Sequence, residues 1–600
     1  MASVNLLRTI LSAGLPHRKE NRPLLCSPHV STPPRSAGEH GAASGRPWLA
    51  VAVIGVTLTV GLGTPWFVDF DEAVYAEAAR GMWASGDWVR PRWNGEPFYE
   101  KPALFYWLTA SLYSVIGITP VAPRAISLAA TLAGLAFLAV EVRRRLGARA
   151  AEVAVWVAGA TLLPFSLGRL GLLDALLVAA LTVSLLALTR GLEGDEAKQR
   201  RWLALGYLAA GVTMAVKGPA LPLLVAAILL ADALLGRRVA ATLRRSGLLW
   251  GVPLLLVIGL PWYVLAYRAD GPLFVSELIG KHTLARIAAP LQGHGGPVWY
   301  YLPVLALGLL PFAALLPGAI AALRRRPGAE RRLVRLAAAW AGVPLVAFSL
   351  AATKLPQYVA PLAPAIALAF AIAAGGATPA WRRRSWHAVL ITGTVVAGAV
   401  AAVPFVLARA TAIWGDTVLR TVPGLACLSS APGSVVWLLA ATMLLAGTLA
   451  AWSHGLRGGT LAALRALGVA GAVSWAALWI AGGHVAQTIA IAPLVTLARQ
   501  ASTQLPPGAP ILLVQLNHRV TPTLATGRTV VFLSAKRADD RERLRARLAG
   551  REPARAIVPA AWWEEIRGET GGRELARECG HVLIGESPSP PTAAARPAGT

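Results

Sequence analysis

Three carboxylates, Asp69, Asp71 and Glu72, fall within four positions immediately after the first long apolar stretch of the chain. Carboxylates suit proton transfer to or from a reacting group. Tyr75 and Glu77 follow on what reads as a short helix from Asp71 to Ala84, which Gly86 and Asp87 close with a turn. Asp71 near a helix N-terminus has a simple reading as a cap, because exposed backbone N–H groups favour a carboxylate there. Capping alone does not account for three carboxylates in four residues at a membrane surface. Further on come Glu100 and Lys101, then isolated charges at Asp174, Lys217, Arg286 and Lys354. Cations in such places suit the stabilisation of developing negative charge. Asp174 opens an apolar stretch and reads equally as a helix cap.

The elements that must position these residues are membrane helices. Of the 600 residues, 55% are hydrophobic and 14% charged, where a soluble chain carries about 25% charged residues. Apolar stretches long enough to cross about 30 Å of hydrocarbon recur along the first four fifths of the chain. In lipid they must be helices, since each backbone polar group has to be satisfied within its own segment. The net charge of +27 has a membrane explanation and excludes nothing else by itself. The Arg clusters at 143–149, 237–245, 324–335 and 382–384 all lie between apolar stretches, as cytoplasmic loops do. A nucleic-acid partner is not expected.

Charge also decides the count of spans. If every apolar stretch crossed, each Arg cluster after the first loop would fall outside, the wrong sign throughout. If 102–118 lies in the interface or re-enters, all of them fall inside and about 13 spans remain. Phe105, Tyr106, Trp107 and Tyr113 give that segment the aromatic content favoured at headgroup level. The outer face then receives 67–101, the turns near 169–174 and 217–218, the loop 268–297, the turn at 354–355 and the segment 409–433. Single charges at helix ends usually snorkel. Charges from five separate loops on one face point instead to a site.

The expected organisation is a cytoplasmic, disordered tail over 1–46, a transmembrane domain over 47–485, a soluble extracytoplasmic α/β domain over 500–586 and a disordered tail over 587–600. In the third of these, apolar runs at Ile511–Leu516, Val530–Leu533 and Ala556–Val558 read as strands, and Ala535 to Leu548 as a helix. Of the three cysteines, Cys427 and Cys579 fall on the outer face, where a disulfide between them is open.

The run DEAVYAEAARGMWASGDWVRPRWNGEPFYEKPALFYWL, beginning at Asp71, resembles the first periplasmic loop of lipid-linked-sugar glycosyltransferases of the aminoarabinose transferase and protein mannosyltransferase group. The resemblance continues at RLGLLD (169–174), KGP (217–219), GHGGPVWYYLP (293–303) and TKLPQYVAP (353–361). It implies the GT-C fold, with about 13 spans, juxtamembrane helices in the first outer loop and a small C-terminal α/β domain on the periplasmic side. It also implies an inverting hexosyl- or pentosyltransferase of the bacterial inner membrane. The donor would be a polyprenyl-phosphate sugar and the acceptor a lipid, protein or glycan, as in lipid A modification or mannosylation of protein.

By resemblance Asp71 is the base, Glu72 its support, and Lys101, Lys217, Arg286, Lys354 and Tyr358 hold the carrier phosphate. Tyr75, Arg92, Tyr99 and Asp174 support them. Glu100 and His282 match a pair that holds zinc in some members, although two ligands alone do not make a structural zinc site; no cofactor is required for certain. One position departs from the pattern. Val74 stands where aminoarabinose transferases usually carry Arg, so another cation must compensate, with Arg80, Arg90, Arg92 and Arg286 as candidates. A multi-span transporter or lipid flippase is the rival reading, weakened by the lack of an internal repeat and by charges that lie at one edge rather than at mid-span.

Overall fold

The computed structural model describes residues 45–69, 71–194, 196–290, 293–324, 330–374, 379–428, 434–517, 519–550 and 552–586. The two tails expected to be disordered lie outside these residues, apart from Gly45 and Arg46. Among the described residues, seven helices are long and apolar enough to cross a membrane, or ten if three bent pairs each make one span. The sharpest bend, 111°, separates Val298–Gly308 from Ala313–Leu323, where Pro311 removes a backbone donor. The expected 13 also counts Pro47–Thr59 and Ala220–Leu235, which are apolar but shorter, and Glu196–Lys217, which carries charges at its start. The chain is a polytopic helical membrane protein.

Helix α1 (Pro47–Thr59) leads into the first outer loop. There helix α2 (Asp71–Ser85) is followed by a two-residue hairpin, β1 (Arg92–Trp93) and β2 (Glu96–Pro97), and then by helix α3 (Leu104–Ile116). At 13 residues, α3 is about 20 Å long, too short for a span of about 30 Å. Small residues let α2 pack closely. A Cβ on Gly81 would lie 2.6 Å from the Arg92 carbonyl oxygen.

Arg side chains gather around two acids on the opposite face, the buried Glu141 and the half-buried Glu193. Glu141 pairs with Arg144, Arg145 and Arg190, and Glu193 with Arg145 and Arg332. Partnered in this way, acidic groups tolerate burial at helix ends.

The C-terminal domain does not begin after a linker. The last membrane helix continues as one 45-residue run, Thr460–Gln504, through a π-helical turn at Gln487–Ile491. Leu494, Leu497, Ala498 and Ala501 of its far end pack into the sheet core, so the domain starts near 492, within the interval expected to separate the two parts. The sheet has the order β4-β3-β5-β7-β6. Strand β3 (Ile511–Val514) pairs parallel with β4 (Val530–Leu533) and β5 (Ala556–Pro559). Strand β7 (His581–Gly585) pairs antiparallel with β5 and with β6 (Arg573–Glu578). Cys427 and Cys579 are joined in a disulfide, with Cα atoms 5.3 Å apart.

Candidate active site

The first outer loop is fastened beneath its own helix. Glu72, at the second position of α2, is buried and accepts four hydrogen bonds. Arg124 supplies two, of 2.8 and 2.7 Å; the backbone N–H groups of Val68 (2.9 Å) and Gly171 (2.7 Å) supply the others. Both carboxylate oxygens are engaged, so Glu72 braces the loop and is not placed to meet a substrate, which corrects its grouping with the reacting carboxylate. Arg124 spends its remaining donor on the carbonyls of Leu62 and Pro65. A lone Arg within the apolar stretch 122–142 was the sequence signal for this brace, since a charge inside a span needs a partner.

Asp71 precedes Glu72 by one residue and has a different environment. Solvent reaches its side chain, while protein atoms surround it closely enough to desolvate the carboxylate. That burial, reinforced by the charge of Glu100, raises its pKa above the ordinary value, with Lys101 and Lys217 acting the other way. Gln357 donates a long hydrogen bond of 3.5 Å to Asp71; the residue lay in the TKLPQYVAP run but was not singled out.

From Gln357 a contiguous set of polar contacts runs through the remaining loops. Its neighbour Tyr358 accepts from Arg286 through its hydroxyl (3.1 Å). Arg286 also donates to Glu100 Oε1 (2.9 Å), which receives Lys101 Nζ as well (2.8 Å). Lys217 lies over the Tyr358 ring, 5.3 Å from its centre, and pairs with Asp174. Five outer segments thus meet. Burial pushes the Glu100 carboxyl up, but Lys101 and Arg286 outweigh it and hold its pKa at about 2. Tyr75 is buried below, its ring 5.9 Å from that of Tyr106; burial, then Asp71 and Glu100, keep its phenol protonated. The Tyr106 hydroxyl, read from the sequence only as part of an aromatic interface, is buried and has no hydrogen-bond partner among the described residues.

Other expected residues lie elsewhere. Lys354 turns its ammonium to the Ser349 (2.9 Å) and Ala351 (2.5 Å) carbonyls at the end of helix Arg331–Leu350, where a cation complements the unpaired C=O groups. Tyr99 donates to Asp270, which also receives Arg90 at 2.9 Å. Arg92 pairs with Asp87 at 3.4 Å. The contacts to Asp270 fasten the loop to helix Pro261–Phe274, and the Arg92 pair holds the loop to itself. Of the four cations proposed to replace the Arg missing at Val74, Arg80 is held by Glu77 (2.6 Å), Arg90 by Asp270 and Asp87, and Arg92 by Asp87. Arg286 is the one that reaches the cluster.

His282 approaches Glu277 to 3.7 Å through Nε2, and its Nδ1 is buried with no partner among the described residues. Burial is the main cause of its pKa falling to about 4, so the imidazole is neutral and free to ligate. Glu100 is close enough to influence it. Among the described residues no group of three or more His, Cys, Asp or Glu forms a metal cluster.

The family model of dolichyl-phosphate-mannose-protein mannosyltransferases matches residues 100–264. The crystal structure of ArnT from Cupriavidus metallidurans bound to undecaprenyl phosphate superimposes with a TM-score of 0.73 at 24% identity, covering 90% of this chain and 97% of that one. This chain has the fold of that structure, shared over its membrane helices and its C-terminal sheet domain. Undecaprenyl phosphate-α-4-amino-4-deoxy-L-arabinose arabinosyl transferase 1 of Sodalis glossinidius is 37% identical over 311 residues, 50% of this chain and 54% of that protein. The transferase of the same name from Shewanella sediminis is 33% identical over 316 residues, 52% and 56% of the two chains. The chain therefore spans about half the length of the curated relatives it matches. None of these proteins is a transporter by name.

Proposed function

We propose that the chain transfers a sugar, a 4-amino-4-deoxypentose or another pentose or hexose, from a polyprenyl-phosphate donor to a lipid, protein or glycan acceptor on the outer face of the bacterial inner membrane. The observation that carries this reading is the meeting of one accessible carboxylate, Asp71, with cations from separate loops around Glu100 and Tyr358.

The acceptor hydroxyl or phosphate oxygen attacks the anomeric carbon as the bond from that carbon to the carrier phosphate breaks. The new C–O bond forms on the opposite face, so the configuration inverts. The electron pair leaves with the phosphate, and a hydroxyl's proton passes to Asp71. A positioned carboxylate base contributes about 10²–10⁴ in rate. Lys101 and Arg286 share the Glu100 carboxylate, so a phosphate placed beside it can take donors from both. Fixed charges of this kind often accelerate a reaction more than the base does. Lys217 and Tyr358 complete the phosphate side, and Asp174 holds Lys217. Tyr75, Tyr99 and Arg92 keep the loop in shape. Glu100 and His282 fit a divalent cation such as zinc as two of its ligands, with phosphate or water completing the set; when bound, such an ion would act as a Lewis acid toward the phosphate.

The test is turnover of undecaprenyl phosphate-linked 4-amino-4-deoxy-L-arabinose by the purified chain in liposomes, with lipid A as acceptor. Release of undecaprenyl phosphate and sugar-modified acceptor is the expected result. Donor that crosses the bilayer intact without being consumed would overturn it.

A further inference from the structure

Asp69 lies two residues before Asp71 but faces the C-terminal domain. Its carboxylate is buried. Oδ1 accepts the backbone N–H groups of Val520 and Thr521, both at 3.0 Å, and Oδ2 accepts Arg519 at 3.2 Å. Val520 and Thr521 stand at the start of helix Thr521–Thr526, whose first N–H groups have no partner within the helix. A carboxylate from the membrane domain supplies it.

A second fastening joins the same two parts. Asn94, at the tip of the β1–β2 hairpin, has a φ of 53°, a left-handed turn conformation that Asn tolerates. Its amide donates to the Val530 carbonyl (2.9 Å) and accepts the Val530 N–H (2.7 Å). The side chain thereby acts as a peptide unit along β4, an outer strand of the sheet, and covers an edge that would otherwise offer unpaired groups. Beside it Trp93 stacks on Phe532, centroids 6.3 Å apart. Helix α2, which presses on this hairpin at Gly81, is thus tied to the C-terminal domain just ahead of its first turn by Asp69 and along its flank by Asn94.

We propose that Asp69 is a positioning residue, which locks the first turn of α2 to the C-terminal domain so that this domain fixes where the Asp71 carboxylate stands. The inference rests on Asp71 being the base of the proposed reaction. It assigns the C-terminal domain a part in turnover, although none of that domain's described residues joins the cluster around Glu100. A displacement of about 1 Å in a reacting group can cost about 10²-fold in rate, so a fastening two residues from the base has leverage on kcat. The phosphate-side cations are anchored elsewhere and keep donor affinity.

The full-length protein with undecaprenyl phosphate-linked 4-amino-4-deoxy-L-arabinose and lipid A provides the test, with undecaprenyl phosphate affinity read by tryptophan fluorescence. Asp69→Ala is expected to lower kcat by about 10- to 100-fold while affinity stays within about twofold. Asp69→Asn, whose amide oxygen can still accept both backbone N–H groups, is expected to recover a large part of kcat. An unchanged kcat in Asp69→Ala overturns the proposal, as does a loss of kcat and affinity together that Asp69→Asn does not restore. If Asp69→Ala does not yield folded protein, Asn94→Ala takes its place, with hydrogen exchange of the α2 amides as readout. Faster exchange in α2 with unchanged exchange in the membrane helices supports the coupling, and unchanged exchange in α2 overturns it. Wild-type protein that turns over no donor defeats the proposed function alone, because the exchange measurement still reads the fastening.

Discussion

Arg124 grips Glu72 through two hydrogen bonds, of 2.8 and 2.7 Å, across 52 positions of sequence. Both side chains are at most 2% exposed. Removing one partner of a buried pair strands the other charge, at a cost of about 3–5 kcal/mol. Glu72→Ala and Arg124→Ala are therefore expected to lower folded yield and melting temperature sharply, as read by size-exclusion chromatography and a thermal melt. Stable variants that lose only turnover would return Glu72 to the chemistry.

Asp71 is expected to behave in the opposite way. Asp71→Asn keeps the shape and removes the negative charge, and the contact it disturbs is a long one to Gln357. Transfer should fall by about 10²-fold or more, with undecaprenyl phosphate affinity and melting temperature near those of the wild type. Single-turnover assays with saturating donor measure the step directly. Full activity in this variant would remove Asp71 from the reaction.

The raised pKa of Asp71 sets the direction of the acid limb. A base works deprotonated, so turnover is present above its pKa and is lost as pH falls through it. Because burial and then Glu100 raise that pKa, the loss is expected at higher pH than an unperturbed Asp, about 3.9, would give. Replacing Glu100 with Gln removes a charge that disfavours ionised Asp71, so the residual activity of Glu100→Gln should extend to lower pH. A kcat–pH profile checks both statements, and a limb that moves the other way contradicts the assignment.

The cations divide by what holds them. Lys101 and Arg286 converge on Glu100, while Arg90 is occupied by Asp270 and Asp87. Arg286→Ala and Lys101→Ala should each weaken undecaprenyl phosphate binding by roughly 10- to 100-fold, in line with about 1.5–3 kcal/mol for a charge-assisted hydrogen bond. Arg90→Ala should leave affinity near wild type and lower stability instead. Equal losses of affinity at Arg90 and Arg286 would show that Val74 is compensated differently.

The convergence of loops was legible because a membrane restricts the alternatives. Once the Arg clusters fix the inner face, Asp71, Lys101, Lys217, Arg286 and Lys354 have one side left to share. Roles within the cluster were less legible, since adjacent residues such as Asp71 and Glu72 point to different partners, and a run of letters does not say which of them meets Arg124. The C-terminal strands divide for a similar reason. Ile511–Val514, Val530–Leu533 and Ala556–Pro559 are apolar runs in a polar region, whereas β6 reads RELARE, a charged strand at the outer edge of the sheet that carries no apolar alternation. The Asn94 and Asp69 contacts depend on docking between distant parts of the chain, and nothing local encodes them.

Lys354 separates a structural from a ligand-binding cation in a measurable way. Its ammonium serves the Ser349 and Ala351 carbonyls, and its backbone N–H donates to the His294 carbonyl at 2.8 Å, joining two outer turns. Lys354→Met retains the stem and loses the cap, so the melting temperature without ligand should fall. A cation that also held the phosphate would contribute to the stabilisation that saturating ligand adds, since binding to the folded state alone raises stability by RT ln(1 + [L]/Kd). For a helix cap that added stabilisation is unchanged, so the wild type and Lys354→Met should show the same thermal shift on adding undecaprenyl phosphate. A smaller shift in the variant would assign Lys354 to the phosphate after all, with the ammonium leaving the helix end when the carrier lipid arrives.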